Sequence, residues 1–311
     1  MKYQWKITPE INQLLIRLEA QKIALENTKS LPHIELAIRK RSLLRSAVYS
    51  ARIEGFPDEE SSPKKASQNL LVAYNFVHSG TKVIFSLPQI KKIHSFVMND
   101  LSGNPGIYRS EPWAIFDQAG NAVYLAPMHF EVPKLMEEYV EYIAGLKDHP
   151  AIVAAAAQFI LEKIHPFADG NGRAGRLISA LLLTKYGYGL RGLIPFEVYV
   201  ESHRAEYYSA LESSNNVTEF IKFFLEALTS EIDGVITSLS SREERREDLL
   251  LPRRQEILYV ISDHPLCSFD SIRRRFLAVK PKTLQYDISQ LTKKGYVEKV
   301  GTTRGALYKR V

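Results

Sequence analysis

The sequence IHPFADGNGRAGR at residues 164–176 lies between two strongly apolar segments and carries the most informative side chains of the chain. His165 can act as a general base near neutral pH, and Asp169 offers an oxygen ligand of the kind that binds Mg²⁺. The Gly-Asn-Gly run at residues 170–172 leads into a predicted helix, whose first N–H groups and positive dipole end attract anions. The segment therefore predicts a phosphate-binding site.

Two arginines strengthen this interpretation. Arg173 and Arg176 are three residues apart, so they share one face of the predicted helix and could hold two successive phosphates. Taken singly, each of these residues has a simpler explanation, such as a capped core histidine, a surface turn or a solvated helix face. Their combination within one loop–helix junction favours a functional site.

The segment resembles the signature of the Fic family, His-x-Phe-x-(Asp/Glu)-Gly-Asn-Gly-Arg-x-x-Arg, at every specified position from His165 to Arg176. The resemblance extends to the predicted helices between about Leu87 and Ser213. It implies a mainly helical Fic core and AMPylation, the transfer of AMP from ATP to a Tyr, Thr or Ser hydroxyl of a protein. ATP is then the substrate, Mg²⁺ the metal, and the protein itself one candidate target.

The resemblance also implies a role for each position. His165 takes the proton of the attacking hydroxyl, Asp169 holds Mg²⁺, and Phe167 anchors the loop in the core. Asn171 and Arg173 are grouped with His165 as catalytic, and the residues assigned to ATP are Gly170, Asn171, Gly172, Arg173 and Arg176. The Doc-type kinases of the family carry lysine at the position of Gly172, so the glycine favours AMP transfer over phosphate transfer.

The segment Ser50-Ala51-Arg52-Ile53-Glu54-Gly55 resembles the inhibitory motif of the family, (Ser/Thr)-x-x-x-Glu-(Gly/Asn). Ser50 and Glu54 are four residues apart and share a helix face, and Gly55 is a natural residue to end the helix. We expect Glu54 to pair with Arg176 and to take the guanidinium that should hold the γ-phosphate. A solvated glutamate before a helix end is the alternative.

The stretch between Gly106 and Pro127 contains two short β-prone runs around Gly120-Asn121, a pattern typical of a β-hairpin. It matches the position of the family's flap, which resembles an edge strand that pairs with a target peptide. Residues expected to line this docking flap are Tyr108, Arg109 and Tyr124. A hairpin that only covers the core is the alternative.

Three- and four-residue apolar spacing predicts a mainly α fold for the first 250 residues. Residues 1–86 are expected to form an N-terminal helical region with the inhibitory helix, and residues 87–250 the Fic core with its following helices. The helices predicted from this spacing are 9–27, 33–54, 63–79, 87–100, 132–146, 150–164, 171–186, 202–213 and 218–239.

Residues 251–311 resemble a winged helix-turn-helix domain, with helices predicted at about 253–262, 269–276 and 282–294 and two strands around residues 301–305. From Ser241 onward the chain has 16 Lys/Arg against 9 Asp/Glu, whereas the rest is almost neutral. Leu284, Ile288 and Leu291 share one face of the third helix, and its other faces offer Lys282, Gln285, Ser289 and Lys293.

This basic module has several candidate partners. The third helix could read a DNA major groove, with Arg304 in the wing near a phosphate and Arg273, Arg274 and Arg275 as the strongest basic run. Winged helices also bind proteins or form dimers, so a protein partner and a homodimer stay open.

The composition is that of an ordinary globular chain, with 45% hydrophobic and 24% charged residues and a net charge of +6. No apolar run is long enough for a membrane span and no signal peptide is visible, so we expect no membrane partner. The single cysteine, Cys267, excludes internal disulfides and favours an intracellular, cytoplasmic protein. Competing functions are a nucleotide-sensing DNA-binding regulator and a Fic enzyme that removes AMP or transfers phosphate.

Overall fold

The fold is known from a computed structural model, which describes residues 1–28, 32–61, 63–79, 84–116, 122–240, 250–262, 266–277, 279–301 and 306–311. Its contacts divide the chain into two compact units. The first unit comprises residues 1–30 and 35–239, and the second comprises residues 31–34 and 240–311. Buried residues of 1–30 and 35–239 form one continuous core, and the boundary predicted near residue 86 lies within this first unit.

Helices dominate residues 1–240, as the apolar spacing predicts. The helices of the described residues in this range are α1 (Pro9–Asn27), α2 (Pro32–Ile53), α3 (Lys65–Val77), α4 (Leu87–Val97), α5 (Val132–Gly145), α6 (Pro150–Ile164), α7 (Asn171–Lys185), α8 (Phe196–Ser202), α9 (Arg204–Leu211) and α10 (Thr218–Ser240). The bounds of α1 and α6 agree with the prediction. The helix predicted at 202–213 is present as α9, two residues shorter at each end, whereas the short helix α8 before His203 was not predicted.

The pair α6 and α7 forms the centre of the first unit. Nearly every residue of α6 is buried, including the four consecutive alanines at 154–157, whose small side chains let neighbouring helices approach closely. Gly175 of α7 faces α6, where an added Cβ would lie 3.4 Å from the side chains of Gln158 and Glu162. The segment 165–170 links the two helices, so both of its ends are anchored in buried helices.

The predicted hairpin is present as two antiparallel strands, β1 (Ala114–Phe116) and β2 (Ala122–Leu125). Ala114 pairs with Leu125, and the register shifts by one residue after Ile115. The turn predicted at Gly120-Asn121 lies outside the described residues.

The described residues of the second unit form three helices and a small antiparallel sheet around their own core. The helices are α11 (Pro252–Ser262), α12 (Phe269–Arg275) and α13 (Pro281–Lys293), and the strands are β3 (Cys267–Ser268), β4 (Val297–Val300) and β5 (Leu307–Arg310). The strand order is β3-β5-β4. The sequence did not predict β3, which has only two residues. Arg304 lies outside the described residues.

The helices of the described residues include none with the length and apolar character that a bilayer crossing requires.

Candidate functional site

His165 stands at the end of α6 in a left-handed backbone conformation, with φ of 49°. Its ring stacks on the indole of Trp113, with the two ring centroids 3.5 Å apart and an angle of 22° between the planes. Burial lowers the pKa of His165 to about 4, and the nearby Arg109 guanidinium acts in the same direction. The imidazole is therefore neutral near pH 7, which is the state that a proton acceptor requires.

The loop after His165 is braced by Asn171, the first residue of α7. The Asn171 side chain accepts a hydrogen bond from the N–H of Phe167 at 3.0 Å and donates one to its carbonyl at 2.8 Å. Asn171 was predicted to bind ATP and to take part in catalysis. Both ends of its side-chain amide are engaged within the loop, so the side chain holds the loop backbone in place.

His94 of α4 also contacts this loop. Its ring stacks on Phe167 with a centroid distance of 3.7 Å, and its Nδ1 accepts a hydrogen bond from the N–H of Gly106 at 2.8 Å. Since Nδ1 is an acceptor and burial lowers the pKa of His94 to about 4, Nε2 carries the proton and donates to the carbonyl of Asp169 at 2.8 Å. One neutral histidine therefore joins the start of the hairpin segment to the loop.

Arg173 is buried at the first turn of α7, with only 1% of its surface exposed. One terminal nitrogen donates to both carboxylate oxygens of Asp169 at 3.0 Å, and the guanidinium lies 5.0 Å from the ring centroid of Phe56. Its Nε and other terminal nitrogen, Nη1, have no hydrogen-bond partner among the described residues. A buried cationic donor without a partner is costly, so these atoms indicate a place for an anion.

Arg176 is also buried, and the end of α2 holds it. Its Nε donates to the Ser50 hydroxyl and its Nη2 to the Ser50 carbonyl, both at 3.0 Å, while Nη2 reaches Glu54 Oε1 at 2.9 Å. Burial is the largest cause and acts to lower the pKa of Arg176, but Glu54, Tyr207 and Tyr74 together raise it above its ordinary value. Nη1 has no partner within the described chain. The structure thus contains the predicted contact between Glu54 and Arg176.

The Glu54 carboxylate lies directly over the start of α7. A Cβ placed on Gly172 would collide with Glu54 Oε1, so the carboxylate can approach α7 this closely only because residue 172 is glycine. Gly170 has a left-handed φ of 80°, and a Cβ there would approach the sulfur of Met98 at 2.7 Å. These glycines therefore allow both the loop geometry and the close approach of a negatively charged group.

Asp169 is the residue that could hold a metal. Its side chain is 63% exposed and already faces Arg173. No group of three or more His, Cys, Asp or Glu side chains could form a metal site by itself in the part of the chain that the structure describes. One accessible carboxylate fits a Mg²⁺ ion whose other ligands are phosphate oxygens and water, which is how Mg²⁺ usually binds with nucleotides.

Two of the three residues predicted to line the docking flap attach the hairpin to the body of the first unit. Arg109 is 6% exposed and donates to the carbonyls of His165, Glu111 and Pro127 at 2.7, 2.8 and 2.5 Å. The Tyr124 hydroxyl donates to the carbonyl of Lys163. The polar groups of Arg109 and Tyr124 are therefore occupied inside the chain.

Tyr108 lies beside this attachment. Its ring packs near Phe167 at a centroid distance of 5.6 Å, and Lys91 Nζ lies 4.2 Å from the ring centroid. The Tyr108 hydroxyl is buried and has no partner among the described residues. Of the three flap residues, Tyr108 alone has a side-chain polar atom without a partner in the described chain.

Sequence reasoning missed three side chains of the site: Trp113, His94 and Glu162. Each reaches the loop from a different element, so no spacing along the chain connects them. Glu162 is the exception in principle, because it lies three residues before His165 and thus on the same side of α6. Its Oε2 is 4.0 Å from His165 Nδ1, and its Oε1 is buried without a partner in the described residues.

Comparison with known proteins agrees with this site. The model of the Fic/DOC family matches residues 84–183, which include His94, the hairpin and the loop between α6 and α7. A Fido domain-containing protein of Dictyostelium discoideum is 32% identical over 124 residues, covering 39% of this chain and 80% of that protein. A protein adenylyltransferase Fic of Aedes aegypti is 36% identical over 87 residues, 27% of this chain and 16% of that protein.

A solved structure supports the fold. A Fic family protein of Desulfovibrio desulfuricans G20 superposes with a TM-score of 0.63 at 21% identity, covering all of this chain and 98% of the other. The chain spans about a sixth of the length of the adenylyltransferase that it matches. The family model matches the site, and the match covers 80% of the Dictyostelium relative. This chain therefore belongs to the Fic/DOC family.

Proposed function

We propose that the first unit transfers AMP from ATP to a hydroxyl of a protein. The observation that carries this proposal is the set of guanidinium nitrogens on Arg173 and Arg176 that have no partner among the described residues. These nitrogens lie at the start of α7, and the loop before α7 begins at the neutral His165. The adenylyltransferase names of the relatives support the same reaction. Proteins of the family at this level of similarity do not define a target, so the target stays open.

The proposed reaction is an in-line displacement at the α-phosphorus. The start of α7 and the two arginines would hold the β- and γ-phosphates, so that the α-phosphate lies next to His165. His165 would take the proton of the target hydroxyl as the new O–P bond forms and the bond to pyrophosphate breaks. Asp169 would hold Mg²⁺, which supplies positive charge for the phosphate oxygens when it is bound.

We further propose that Glu54 inhibits this reaction. It occupies a terminal nitrogen of Arg176 and lies against Gly172, which is the place where the outer phosphates would bind. ATP then has to bind without its γ-phosphate contact or in a pose unsuited to in-line attack. The Glu54 side chain is 25% exposed, so it can leave toward solvent without unfolding α2.

The experiment compares ATP labelled at the α-phosphate with ATP labelled at the γ-phosphate. The Glu54→Gly variant is incubated with each nucleotide, Mg²⁺ and a cell lysate, and labelled proteins, including the enzyme itself, are identified. AMP transfer predicts label only from the α-position. Label from the γ-position would show a kinase activity, and the absence of label from both would contradict a transferase.

A second function is favoured by the exposed face of α13. Leu284, Ile288 and Leu291 are buried, whereas Lys282, Gln285, Ser289 and Lys293 are exposed. Gln and Ser can hydrogen-bond base edges and Lys can contact phosphates, so this face fits a DNA major groove. Residues 251–311 carry 13 Lys/Arg against 5 Asp/Glu. We propose that the second unit is a winged helix that binds duplex DNA.

This function is tested with the full chain and a fluorescent duplex at several salt concentrations. Lys282→Glu/Lys293→Glu should weaken binding by about tenfold or more and flatten its salt dependence, because phosphate contacts are lost. The control Lys2→Glu/Lys6→Glu makes the same change in net charge on exposed residues outside the second unit. Equal losses in both variants would contradict DNA recognition by α13 and leave a protein partner as the better explanation.

A further inference from the structure

Glu162 is a buried carboxyl group that the proposed reaction has not used so far. It belongs to the last turn of α6, and its side chain is 15% exposed. Oε1 has no hydrogen-bond partner in the described chain, and Oε2 lies 4.0 Å from Nδ1 of His165. A buried carboxyl oxygen without a partner is rare in folded proteins and calls for an explanation.

The surroundings of Glu162 connect the inhibitory contact with the general base. It lies close enough to Glu54 and Arg176 for their charges to act on it, and it faces His165 on its other side. A hydrogen bond to the backbone carbonyl of Glu162 also acts to raise the pKa of His165. Both the carbonyl and the carboxyl group of this residue therefore face the same imidazole.

We propose that Glu162 is the positioning residue that orients His165 for proton removal during AMP transfer. In the active enzyme its ionised carboxylate accepts a hydrogen bond from Nδ1–H of His165, which leaves the Nε2 lone pair free. Nε2 then takes the proton from the target hydroxyl as the oxygen bonds to the α-phosphorus and pyrophosphate leaves with the electrons of the broken P–O bond. The imidazolium that forms is compensated by the Glu162 carboxylate until it releases its proton to solvent.

The present distance of 4.0 Å between Glu162 Oε2 and His165 Nδ1 is longer than a hydrogen bond. Burial is the main cause that raises the pKa of Glu162 to about 8, and the Glu54 carboxylate is the second, against the lowering effects of Arg176 and Lys163. At neutral pH the carboxyl group is then mainly protonated and is a weak acceptor. When Glu54 leaves, one of the two causes disappears and ionisation becomes easier.

The charged and titratable groups that face Glu162 come from the elements packed around it. Arg176 and Lys163 favour its ionised form, and Glu54 opposes it. The remaining groups with electrostatic contact to Glu162 are His165 and the hydroxyl groups of Tyr124, Tyr207 and Tyr208. Burial keeps the pKa of these three tyrosines above the ordinary value, so below pH 9 they stay neutral. Glu54 is thus the group whose departure changes the state of Glu162.

This inference rests on the proposed AMP transfer, and its test is built to separate the two. In the Glu54→Gly background, kcat and KM for ATP are measured between pH 5.5 and 9 with and without Glu162→Gln. We expect the parent kcat to rise with pH through a pKa below 8, and Glu162→Gln to lack the rise and to be about 10- to 100-fold slower at its top. KM for ATP should be unchanged, because the phosphates are held by α7.

Two further variants distinguish positioning from a loss of folding. Glu162→Asp keeps the charge and should retain part of the pH-dependent rise. Glu231→Gln removes another carboxyl group whose pKa burial raises to about 7, in α10 and away from His165, and should leave kcat and its pH profile unchanged. Equal kcat–pH profiles for the parent and Glu162→Gln would overturn the proposal.

A readout without nucleotide decides the matter even if no AMP is transferred. The ¹⁵N chemical shift of His165 Nδ1, assigned by its loss in His165→Ala, is followed against pH in the full chain. It should respond to an ionisation near pH 8 in the wild type and to one at lower pH in Glu54→Gly. The response should be absent in Glu162→Gln. A titration curve that Glu162→Gln does not alter would overturn the positioning role, whereas lack of label transfer alone would overturn only the proposed reaction.

Discussion

The segment 164–176 and the end of α2 meet at Arg176, but they are held in opposite ways. In the segment, Asn171 and His94 fix the loop backbone with buried hydrogen bonds, and the arginines keep donors without partners. The end of α2 offers Ser50, which is fully buried, and then Glu54, which is partly exposed. The segment 164–176 therefore has a fixed backbone and arginine donors, without a partner among the described residues, that can bind an anion.

The second region differs because its carboxylate imitates that anion. The Glu54 carboxylate has a hydrogen bond to Arg176 alone among the described residues, whereas Ser50 binds the same guanidinium through both its hydroxyl and its carbonyl. If Glu54 leaves, the Ser50 contacts still orient Arg176 toward the site. The proposed inhibition can therefore be reversed by movement of Glu54 alone, while Ser50 keeps Arg176 in position.

The largest effect is expected for His165→Ala, which removes the base from the fixed region. AMP transfer by the Glu54→Gly enzyme should fall by about 10²- to 10⁴-fold, because one general base contributes this much. ATP affinity should stay unchanged, since α7 and the arginines bind phosphates independently of the base. Label transfer and calorimetric titration of ATP measure the two quantities. A parent-like rate in the variant would remove His165 from its role.

A change of about 2 kcal/mol in the free energy of unfolding is expected for Asn171→Ala, because both backbone groups of Phe167 lose a buried partner. Denaturant unfolding followed by fluorescence measures it. Ser61→Ala, which removes an exposed hydrogen bond to Glu59, is the control and should change little. If the two variants were equally stable, the loop would not be braced in the way that distinguishes it from the end of α2.

A pH effect also separates the two regions, because His165 belongs to the fixed region, His94 contacts its loop, and both histidines are neutral near pH 7. The unfolded chain binds protons at His94 and His165 near pH 6.5, whereas burial lowers the pKa of both to about 4 in the folded state. Stability should therefore fall as pH falls from about 6.5 to 4. The slope of unfolding free energy against pH should be smaller in His165→Ala, and parallel curves would contradict the buried neutral state.

The sequence predicts those features that are determined by neighbouring residues, and it misses those that depend on residues far apart in the chain. The bounds of α6 and the start of a helix at the Gly-Asn-Gly run are local features, so periodicity and residue types were sufficient to predict them. The break at His203 and the strand β3 were missed, because they depend on packing and on partner strands far along the chain. Trp113 and His94 were missed as site residues for the same reason, whereas Glu162 lies three residues before His165 and could have been found from that spacing.

The central claim is that a phosphate-binding arginine is shared between Glu54 and ATP. The most direct measurement is label incorporation from α-labelled ATP by the wild type, Glu54→Gly and Glu54→Gly/Arg176→Ala, under equal conditions. We expect Glu54→Gly to be about 10- to 100-fold faster than the wild type, which is what a charge-assisted hydrogen bond of about 1.5–3 kcal/mol allows. The double variant should lose that gain, and equal rates for the wild type and Glu54→Gly would contradict the account.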